Sequence, residues 1–392
     1  MTMARALQIG GTFGAGSERS LGWQGAEGIM VGLVVVGLGD VGSSILAGIE
    51  AARAHLVHPW GSLIDAGGAG RRPEHGGSQP MRLAAPFANL SDLALGAFEL
   101  KEDDAYRAAL RAGHLSRSLV DELRPQLRHI RAMSGARQAP TRRHLADALA
   151  EDLRGFAEHN GCARGVVVCT VPGLREVSGK PLFSPSGLWD ALEASGPEVS
   201  PALVYAAAAA RAGYGFVAAA PDATLEAPAV AELFSKSGAP FAGVGLLSPD
   251  AALREALQQV MDSEAFGLVG ATSMTTRAEE RGARLWGGPD RTEEMGLGAA
   301  WGGGAFEISV QLRGQIALHH AARAVDAALL CELAQRAGRS GAQTWMSALF
   351  ATSPAVASPQ DAPAATLRAR RERLRAELPV LGAAALASSQ AA

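Results

Sequence analysis

A glycine-rich turn near residue 40 is the strongest chemical signal in the sequence. It reads Gly37-Leu38-Gly39-Asp40-Val41-Gly42 and matches the pattern G-x-G-x-x-G. In such a turn the first glycine permits a tight bend, the second lets the backbone approach a pyrophosphate, and the third lets a helix pack on a strand. The amides at the start of that helix would then bind the phosphates.

The residues that flank the turn predict the strand and the helix that this chemistry needs. A β-branched run, Val31 to Val36, precedes the turn, and Ser43 to Ala54 has a helical composition. Strand, turn and helix in this order are typical of a mononucleotide-binding unit, whereas the pattern by itself is a weak signal. We therefore predict that the turn binds a dinucleotide, with NAD as the expected cofactor; the alternative is a turn with a merely structural role.

The acidic residue that usually holds the ribose hydroxyls, about 20 positions after the turn, is not evident in the sequence. Glu50 comes too early and Asp65 lies in a predicted loop. Arg53, Arg71 and Arg72 could meet the 2′-phosphate of NADP, although loop arginines are more often solvated. The choice between NAD and NADP is therefore open.

Two pairs of residues are further candidates. Cys169 and Thr170 end a buried strand at its carboxyl edge, where open α/β sheets bind ligands, so Thr170 is a candidate contact of the nicotinamide ribose. An equally good interpretation of Cys169 is a buried structural thiol. His319 and His320 lie in one helix, where adjacent residues point about 100° apart, so the two cannot both face one site. Packing or surface roles are the simpler interpretation.

The rest of the chain supplies the elements that must position such a site. Buried strands are predicted at 165–170, 215–220 and 241–245, each preceded by a helical segment. This alternation predicts an α/β fold with a doubly wound parallel sheet of the Rossmann type. Apolar spacing also predicts long helices over 103–133 and 315–337.

The pattern weakens after residue 270. Residues 271–304 are rich in glycine, arginine and glutamate with little periodicity, and a strand is predicted at Phe306 to Leu312. Guanidinium groups in this part could bind phosphate, but a solvated run balanced by glutamates is the simpler interpretation. The arginines concerned are Arg277, Arg281, Arg284 and Arg291.

Both ends of the chain are expected to lie outside the fold. Residues 1–29 lack the apolar run of a secretory signal and read as a disordered leader, or as the product of a misassigned start before Met30. Residues 353–392 are rich in proline, alanine and serine and read as a mobile tail, with one basic helix over Thr366 to Glu377.

Composition excludes several classes of partner. The net charge of −3 gives no field that would hold a nucleic acid, and no apolar run approaches the roughly 20 residues of a membrane span. The three cysteines, Cys162, Cys169 and Cys331, show no metal-ligand spacing, so neither a metal site nor a disulfide framework is expected. A cytoplasmic location is the simplest expectation.

Several segments, taken in order, resemble the inositol-3-phosphate synthase family. His58-Pro-Trp-Gly-Ser-Leu63 resembles that family's aromatic-x-G-S loop, and Pro86 to Glu99 resembles its strand ending in G-W-D, with Phe98 and Glu99 in place of Trp and Asp. The order of these weak motifs carries the resemblance more than any one of them. Further matching segments are Tyr106 to Arg131, Pro201 to Ala208, Gly213 to Pro221 and Gly314 to Phe350.

The resemblance implies a division of the chain and a function. It implies a Rossmann domain over 30–245, an inserted, smaller α+β domain for substrate binding and oligomerisation over 246–310, and a return segment over 311–352. It also implies that Ser62 contacts NAD and that the protein is a homo-oligomer, a dimer or a tetramer. Family enzymes convert glucose 6-phosphate into inositol phosphate by oxidation with NAD, lysine-assisted ring closure and reduction, so a sugar phosphate or cyclitol is the expected substrate.

The sequence departs from the family where the lysine chemistry would take place. It contains only Lys101, Lys180 and Lys236, and none matches a catalytic position of the family. The S-P-Q-N-T loop is replaced by Ala220-Pro-Asp-Ala-Thr224, in which Asp222 would repel a phosphate. Catalytic residues are therefore unassigned. A divergent isomerase, an NAD(P)-dependent oxidoreductase of other specificity and a non-catalytic nucleotide-binding assembly protein are the three interpretations.

Overall fold

The computed structural model describes residues 30–65, 81–135, 137–174, 176, 182–263, 267–276, 290–299, 301–352 and 366–391. The predicted leader, 1–29, lies outside them. The helices are α1 (Asp40–Arg53), α2 (Ala105–Ala112), α3 (Arg117–Glu122), α4 (Arg124–His129), α5 (Arg142–Asn160), α6 (Pro185–Ala194), α7 (Pro201–Ala212), α8 (Pro228–Ser237), α9 (Pro249–Ser263), α10 (Ile316–Arg336) and α11 (Leu367–Ala391). The strands are β1 (Met30–Val36), β2 (Leu93–Glu99), β3 (Ala132–Ser134), β4 (Cys162–Cys169), β5 (Gly215–Ala218), β6 (Pro240–Leu246), β7 (Gly267–Thr276), β8 (Asp290–Ala299), β9 (Ala305–Gly314), β10 (Gly341–Ala342) and β11 (Phe350–Thr352).

The main sheet has the strand order β3-β2-β1-β4-β5-β6, and all of these strands are parallel. This is the order of a doubly wound Rossmann sheet, which confirms the predicted α/β fold class. β10 and β11 lie along the free edge of β6. β10 pairs in parallel with the start of β6, and β11 pairs antiparallel with the end of β6. The order changes direction between β1 and β4, so a crevice opens there at the carboxyl edge of the sheet.

Side-chain alternation along the strands explains why helices cover both faces. Val31, Leu33 and Val35 of β1 belong to one buried cluster, which they share with residues of α1, α10 and α11. Val34 and Val36 belong to the other, with residues of α5, α7 and α8. Because successive residues of a strand point to opposite faces, a continuous apolar run such as β1 requires cover on both sides.

A second, smaller sheet lies in the chain between β6 and α10. It is antiparallel, with the order β7-β8-β9, and α9 packs on it. The prediction of irregular structure over 271–304 was wrong for the end of β7 and for β8. A Cβ at Gly296 would lie 3.2 Å from Leu257 Cδ2 of α9, so this buried position favours a small residue. A glycine there removes the apolar residue whose alternation would have predicted a strand.

The single helix predicted over 103–133 is instead three short helices followed by β3. Gly113 ends α2 in the left-handed conformation, with φ of 67°, and the Ser116 hydroxyl accepts the Leu119 amide to start α3. Pro125 lies in the first turn of α4. Apolar spacing continues through these breaks because each helix turns its apolar residues to the same core, which is why periodicity alone predicted one helix.

The carboxyl-terminal segment corrects the prediction of a mobile tail. Over its described part it forms α11, which packs against α10 and the short 3₁₀ helix Thr344–Leu349. The Glu255 side chain of α9 accepts the Leu367 amide at 2.8 Å and so holds the start of the helix. An apolar stripe is buried in the main core and consists of Leu367, Leu374, Leu378, Leu381 and Ala385. In the described residues no helix is both long and apolar enough to cross a membrane.

The packing of α11 leads to a stability prediction. Leu374 is 0% exposed, whereas Val380 on the same helix is 54% exposed. We expect Leu374→Ala to lower the free energy of unfolding by about 2–5 kcal/mol, because it leaves a cavity in the core. The matched control Val380→Ala should change it by under about 0.5 kcal/mol. Chemical denaturation of both variants measures the difference, and equal stabilities would mean that α11 does not pack in solution.

Candidate functional site

The glycine-rich turn lies between the end of β1 and the start of α1, at the crevice in the sheet. Gly37 has a φ of +89°, and a Cβ there would lie 2.9 Å from Val171 Cγ2. A Cβ at Gly42 would lie 1.9 Å from the Gly37 carbonyl oxygen. The fold itself therefore requires these two glycines, the first for backbone conformation and the second for the close approach of α1 to the turn.

Gly39 differs from the other two glycines because the fold does not require it. It is the N-cap residue of α1 with a φ of −75°, which any residue can adopt, and a Cβ there would meet no atom within 4 Å. The position therefore faces open space directly in front of a helix N-terminus, where the amides and the helix dipole attract an anion. A glycine here leaves that space open.

Thr170 and Cys169 close the other side of the turn. The Thr170 hydroxyl donates to the carbonyl oxygens of Val36, at 2.9 Å, and Gly37, at 3.0 Å. The end of β4 therefore holds the turn in place. Cys169 is buried, and burial raises the pKa of its thiol to about 12, which makes it a packing residue and not a nucleophile.

Glu99 is the acidic residue that the sequence did not locate. It ends β2, the neighbour of β1 on the side away from β4, and its Oε2 accepts the Leu38 amide at 2.7 Å. An acid at the end of the second strand is where Rossmann proteins hold the adenosine ribose. The usual spacing of about 20 positions after the turn does not apply here, because a long connection between α1 and β2 runs from 54 to 92. Its place at the end of a strand was the available signal.

His114 connects the turn to the start of α10. Its Nε2 lies 3.4 Å from Asp40 Oδ1, and its Nδ1 lies 2.9 Å from Oε1 of Gln315, the residue before α10. Asp40 is in the first turn of α1, so its carboxylate lies at the same end of the helix as Gly39. The imidazole of His114 therefore lies between this carboxylate and the residue before α10.

Ser62 does not lie with the other predicted cofactor residues. Its hydroxyl donates to Asp326 Oδ1 of α10 at 2.6 Å and accepts the amides of Ile64 and Asp65. Asp326 is eleven residues after Gln315 in the sequence, so Ser62 contacts α10 about 16 Å along the helix axis from the end that contacts His114. The contacts shown for Ser62 anchor its loop to α10, and a contact with NAD stays a prediction.

Comparison with known proteins now identifies the family. The family model described as myo-inositol-1-phosphate synthase, which carries an NAD-binding label, matches residues 31–376. The chain belongs to that family. Its glycine-rich turn, both sheets and the start of α11 all lie within the match.

Individual relatives agree with this membership. The inositol-3-phosphate synthase 1 of Bacteroides thetaiotaomicron is 25% identical over 389 residues, which cover 83% of this chain and 89% of that protein. The Caenorhabditis elegans inositol-3-phosphate synthase structure superposes with a TM-score of 0.75 at 16% identity, covering 91% of this chain and 86% of that one. The structure of a myo-inositol-1-phosphate synthase-related protein of Thermotoga maritima superposes with a TM-score of 0.65 at 14% identity, covering 88% of this chain and 98% of that one. These two structures support the fold.

Asp222, in the loop that replaces S-P-Q-N-T, does not face a ligand. It is 2% exposed, and its carboxylate accepts the Ser200 hydroxyl, the Thr224 amide and the Thr224 hydroxyl. A Cβ at Gly173 would lie 1.9 Å from Asp222 Oδ2. The side chain is therefore committed to the start of α7, and its repulsion of a bound phosphate stays a prediction.

Other charged candidates lie away from the crevice or outside the described residues. Lys236 is in the last turn of α8, at the amino edge of the sheet, and pairs with Glu232 at 2.6 Å. Lys101 follows Glu99 and is exposed. Lys180, Arg277, Arg281 and Arg284 lie outside the described residues, as does the side chain of Arg291. Among the described residues no cluster of side chains could hold a metal ion.

Asp326 is fully buried, and this burial gives the protein a specific pH dependence. Burial raises the pKa of Asp326 from 3.8 to about 6, although the Arg323 charge and the hydrogen bonds from Leu63, Ser62 and Ile64 lower it. Because the native pKa is the higher one, the native state retains a proton that the unfolded chain releases. This carboxyl therefore stabilises the fold at low pH, and the contribution is lost as the pH rises through about 6.

We expect the loss to appear as a difference between the wild type and Asp326→Asn. Between pH 4 and pH 7 the free energy of unfolding of the wild type should fall, relative to that of the variant, by on the order of 2 kcal/mol. Urea unfolding at several pH values measures it. Glu372→Gln, which removes an exposed carboxyl on α11, serves as the control. Parallel curves for the wild type and Asp326→Asn would contradict the expectation.

Proposed function

We propose that this chain binds NAD at the crevice between β1 and β4 and acts on a sugar phosphate or cyclitol, as a divergent member of its family. The observation that carries the proposal is the open position at Gly39, which stands before the N-terminus of α1 and beside the acidic end of β2. Two glycines required by the fold and one required only by a ligand are what a pyrophosphate site needs.

The residues of the turn fit the cofactor. The amides of Gly39, Asp40 and Val41 would hold the pyrophosphate, and Glu99 would accept hydrogen bonds from the adenosine ribose. Thr170 would border the nicotinamide half. When bound, NAD supplies an acceptor and donor of hydride, and the protein supplies orientation and electrostatics.

Glu99 favours NAD over NADP in this proposal. A carboxylate at the ribose accepts hydrogen bonds from two hydroxyl groups but repels a 2′-phosphate. Arg53, a sequence candidate for that phosphate, is committed elsewhere, because it donates to the Leu90 carbonyl and pairs with Glu50 at 2.6 Å. Arg53 is therefore not available for a 2′-phosphate, and the other two candidates, Arg71 and Arg72, lie outside the described residues.

The lysine positions support a divergent reaction. Of the two described lysines, Lys236 is at the opposite edge of the sheet and Lys101 is next to the proposed adenosine end. Neither is placed to hold an enolate at the nicotinamide half. The same observation favours a second candidate function, that of a non-catalytic assembly protein in which the nucleotide is a structural ligand. In either case we propose a homo-oligomer, which light scattering after size-exclusion chromatography tests.

Calorimetric titration with NAD, followed by a product assay with glucose 6-phosphate, tests the proposal. NAD binding with inositol phosphate formation would establish the family reaction by a route without the family's lysines. Binding without turnover would favour another sugar phosphate, a cyclitol or the assembly role. Failure to bind NAD would contradict the proposal.

The three glycines permit a direct test of the site. We expect Gly39→Ala to weaken NAD binding at least about tenfold, because its Cβ enters the space proposed for the pyrophosphate, while the unliganded protein loses no more than about 1 kcal/mol of stability, the usual cost of alanine at an N-cap. Gly48→Ala, which also meets open space but lies further along α1, is the matched control and should bind NAD normally. Gly42→Ala should destabilise the protein. Normal NAD binding by Gly39→Ala would argue against the site.

A second prediction concerns the choice of cofactor. Glu99→Gln keeps the size of the side chain and an acceptor for the Leu38 amide but removes the charge. We expect it to reduce the preference for NAD over NADP by about tenfold, since a charged pair at this range contributes about 1–2 kcal/mol. The ratio of the two dissociation constants measures this preference. Glu102→Gln, an exposed acid three residues on, is the control, and an unchanged ratio in Glu99→Gln would remove Glu99 from the site.

A further inference from the structure

A group of basic side chains on α10 lies outside the nucleotide site. His319, Arg323 and Asp326 are four and three residues apart, so they share one face of the helix. The ring of His320 lies beside that of His319, with centroids 6.1 Å apart. Arg323 pairs with Asp326 at 3.3 Å, and its side chain is only 15% exposed.

Arg371, in the first turns of α11, brings a second guanidinium to this group. α11 packs against α10, and the charge of Arg371 lowers the pKa of both His319 and Arg323. Among the described residues Arg371 has no carboxylate partner. Arg370 and Arg368, its neighbours, are directed elsewhere, since Arg370 donates to the Ser347 carbonyl and Arg368 pairs with Glu372.

The negative charge in this group is smaller than the positive charge. Asp326 is the one carboxylate that acts on Arg323 in the described part of the chain, and it already accepts hydrogen bonds from Ser62 and the Leu63 amide. Burial and the neighbouring cations lower the pKa of His319 to about 4. His319 is therefore uncharged near neutral pH, and the charges of the group are two guanidiniums against one carboxylate, which leaves it net positive.

The position of the group relates it to the crevice. Gln315, directly before α10, contacts His114, which in turn lies against Asp40 of the glycine-rich turn. His319 is one helical turn from Gln315, about 5.4 Å along the axis. The basic group therefore lies along α10 beyond its contact with His114, with His319 about one turn and Arg323 about two turns from Gln315.

We propose that His319, Arg323 and Arg371 form a binding site for the phosphate group of the substrate. A guanidinium group can bind two phosphate oxygens at once through parallel hydrogen bonds, and it stays charged at every working pH. An imidazole adds a further hydrogen-bond donor, so that the site does not need a lysine. The site rests on the proposed function, because it places a phosphate-bearing substrate beside NAD. It deepens that function by giving this chain, which has few lysines, a source of positive charge for a phosphate dianion.

Arg371 is the residue that tests the site most cleanly, because no carboxylate in the described part of the chain pairs with it. Inorganic phosphate is titrated by calorimetry into the full-length protein, with and without saturating NAD. We expect Arg371→Gln to weaken phosphate binding at least about tenfold, as the loss of a charge-assisted pair does. Arg375→Gln, which removes the same charge from an exposed position one turn further along α11, should bind phosphate like the wild type.

The ionisation of His319 provides a second, independent measurement. Without ligand its pKa is about 4, lowered by burial and by Arg323, His320 and Arg371, while Asp326 lies one helical turn beyond Arg323. A bound phosphate would reverse the local charge and raise that pKa, so binding at pH 6 should take up protons. Calorimetry in buffers of different ionisation enthalpy counts them. We expect His319→Gln to take up fewer protons on phosphate binding and to bind phosphate more weakly than the wild type.

The outcomes separate this site from the proposed function. NAD binding with equal phosphate affinity in Arg371→Gln and Arg375→Gln would overturn the site and leave the NAD proposal standing. Phosphate binding that depends on Arg371 in a protein that does not bind NAD would support the site and contradict the NAD proposal. If glucose 6-phosphate binds more tightly than inorganic phosphate, with the same dependence on Arg371, the bound phosphate group belongs to a sugar phosphate. If Arg371→Gln instead loses affinity for NAD, the basic group belongs to the nucleotide site and the inference is overturned.

Discussion

The close approach of α1 to the end of β1 is the constraint on which the rest of the structure depends. Gly42 lies so near the Gly37 carbonyl that any side chain at position 42 would separate the helix from the turn. This contact places the N-terminus of α1 at the carboxyl edge of the sheet, in line with the ends of β2 and β4. Glu99 and Thr170 then border the same space, because parallel pairing brings the ends of neighbouring strands together.

α10 connects this space to the rest of the molecule. The helix begins next to His114 and the glycine-rich turn, continues past His319 and Arg323, and ends by packing on the amino ends of the strands. It leads directly out of β9, the last strand of the smaller sheet.

Asp326 of α10 and Arg371 of α11 differ in how their charges are satisfied. Asp326 anchors the Ser62 loop through hydrogen bonds from a hydroxyl and two amides, so its cost of burial is offset within the fold. Arg371 has no such partner in the described chain. The first arrangement is complete within the fold, whereas the second leaves a guanidinium without a carboxylate, and this difference is the physical basis for proposing an anion site at Arg371.

The sequence by itself determined the features that depend on local pattern. The run from Val31 to Val36, the glycine spacing and the alternation of helices and strands predicted a Rossmann sheet and the position of its turn, because backbone conformation and burial on both faces restrict residue type at those positions. The order of several short motifs was enough to recognise the family. Boundaries were less well determined: Gly113 and Pro125 broke a helix whose apolar spacing continued.

Only the tertiary structure decided the features that depend on distant residues meeting. Glu99 follows the turn by about 60 positions and reaches it only because β2 pairs with β1. The burial of Asp222 requires the start of α7, and α11 is a core helix because its leucine stripe finds α10. Arg371 and His319 are 52 positions apart and belong to different helices, so no sequence pattern could join them. Local patterns fix the elements, whereas the charge balance of a site is set by which elements pack together.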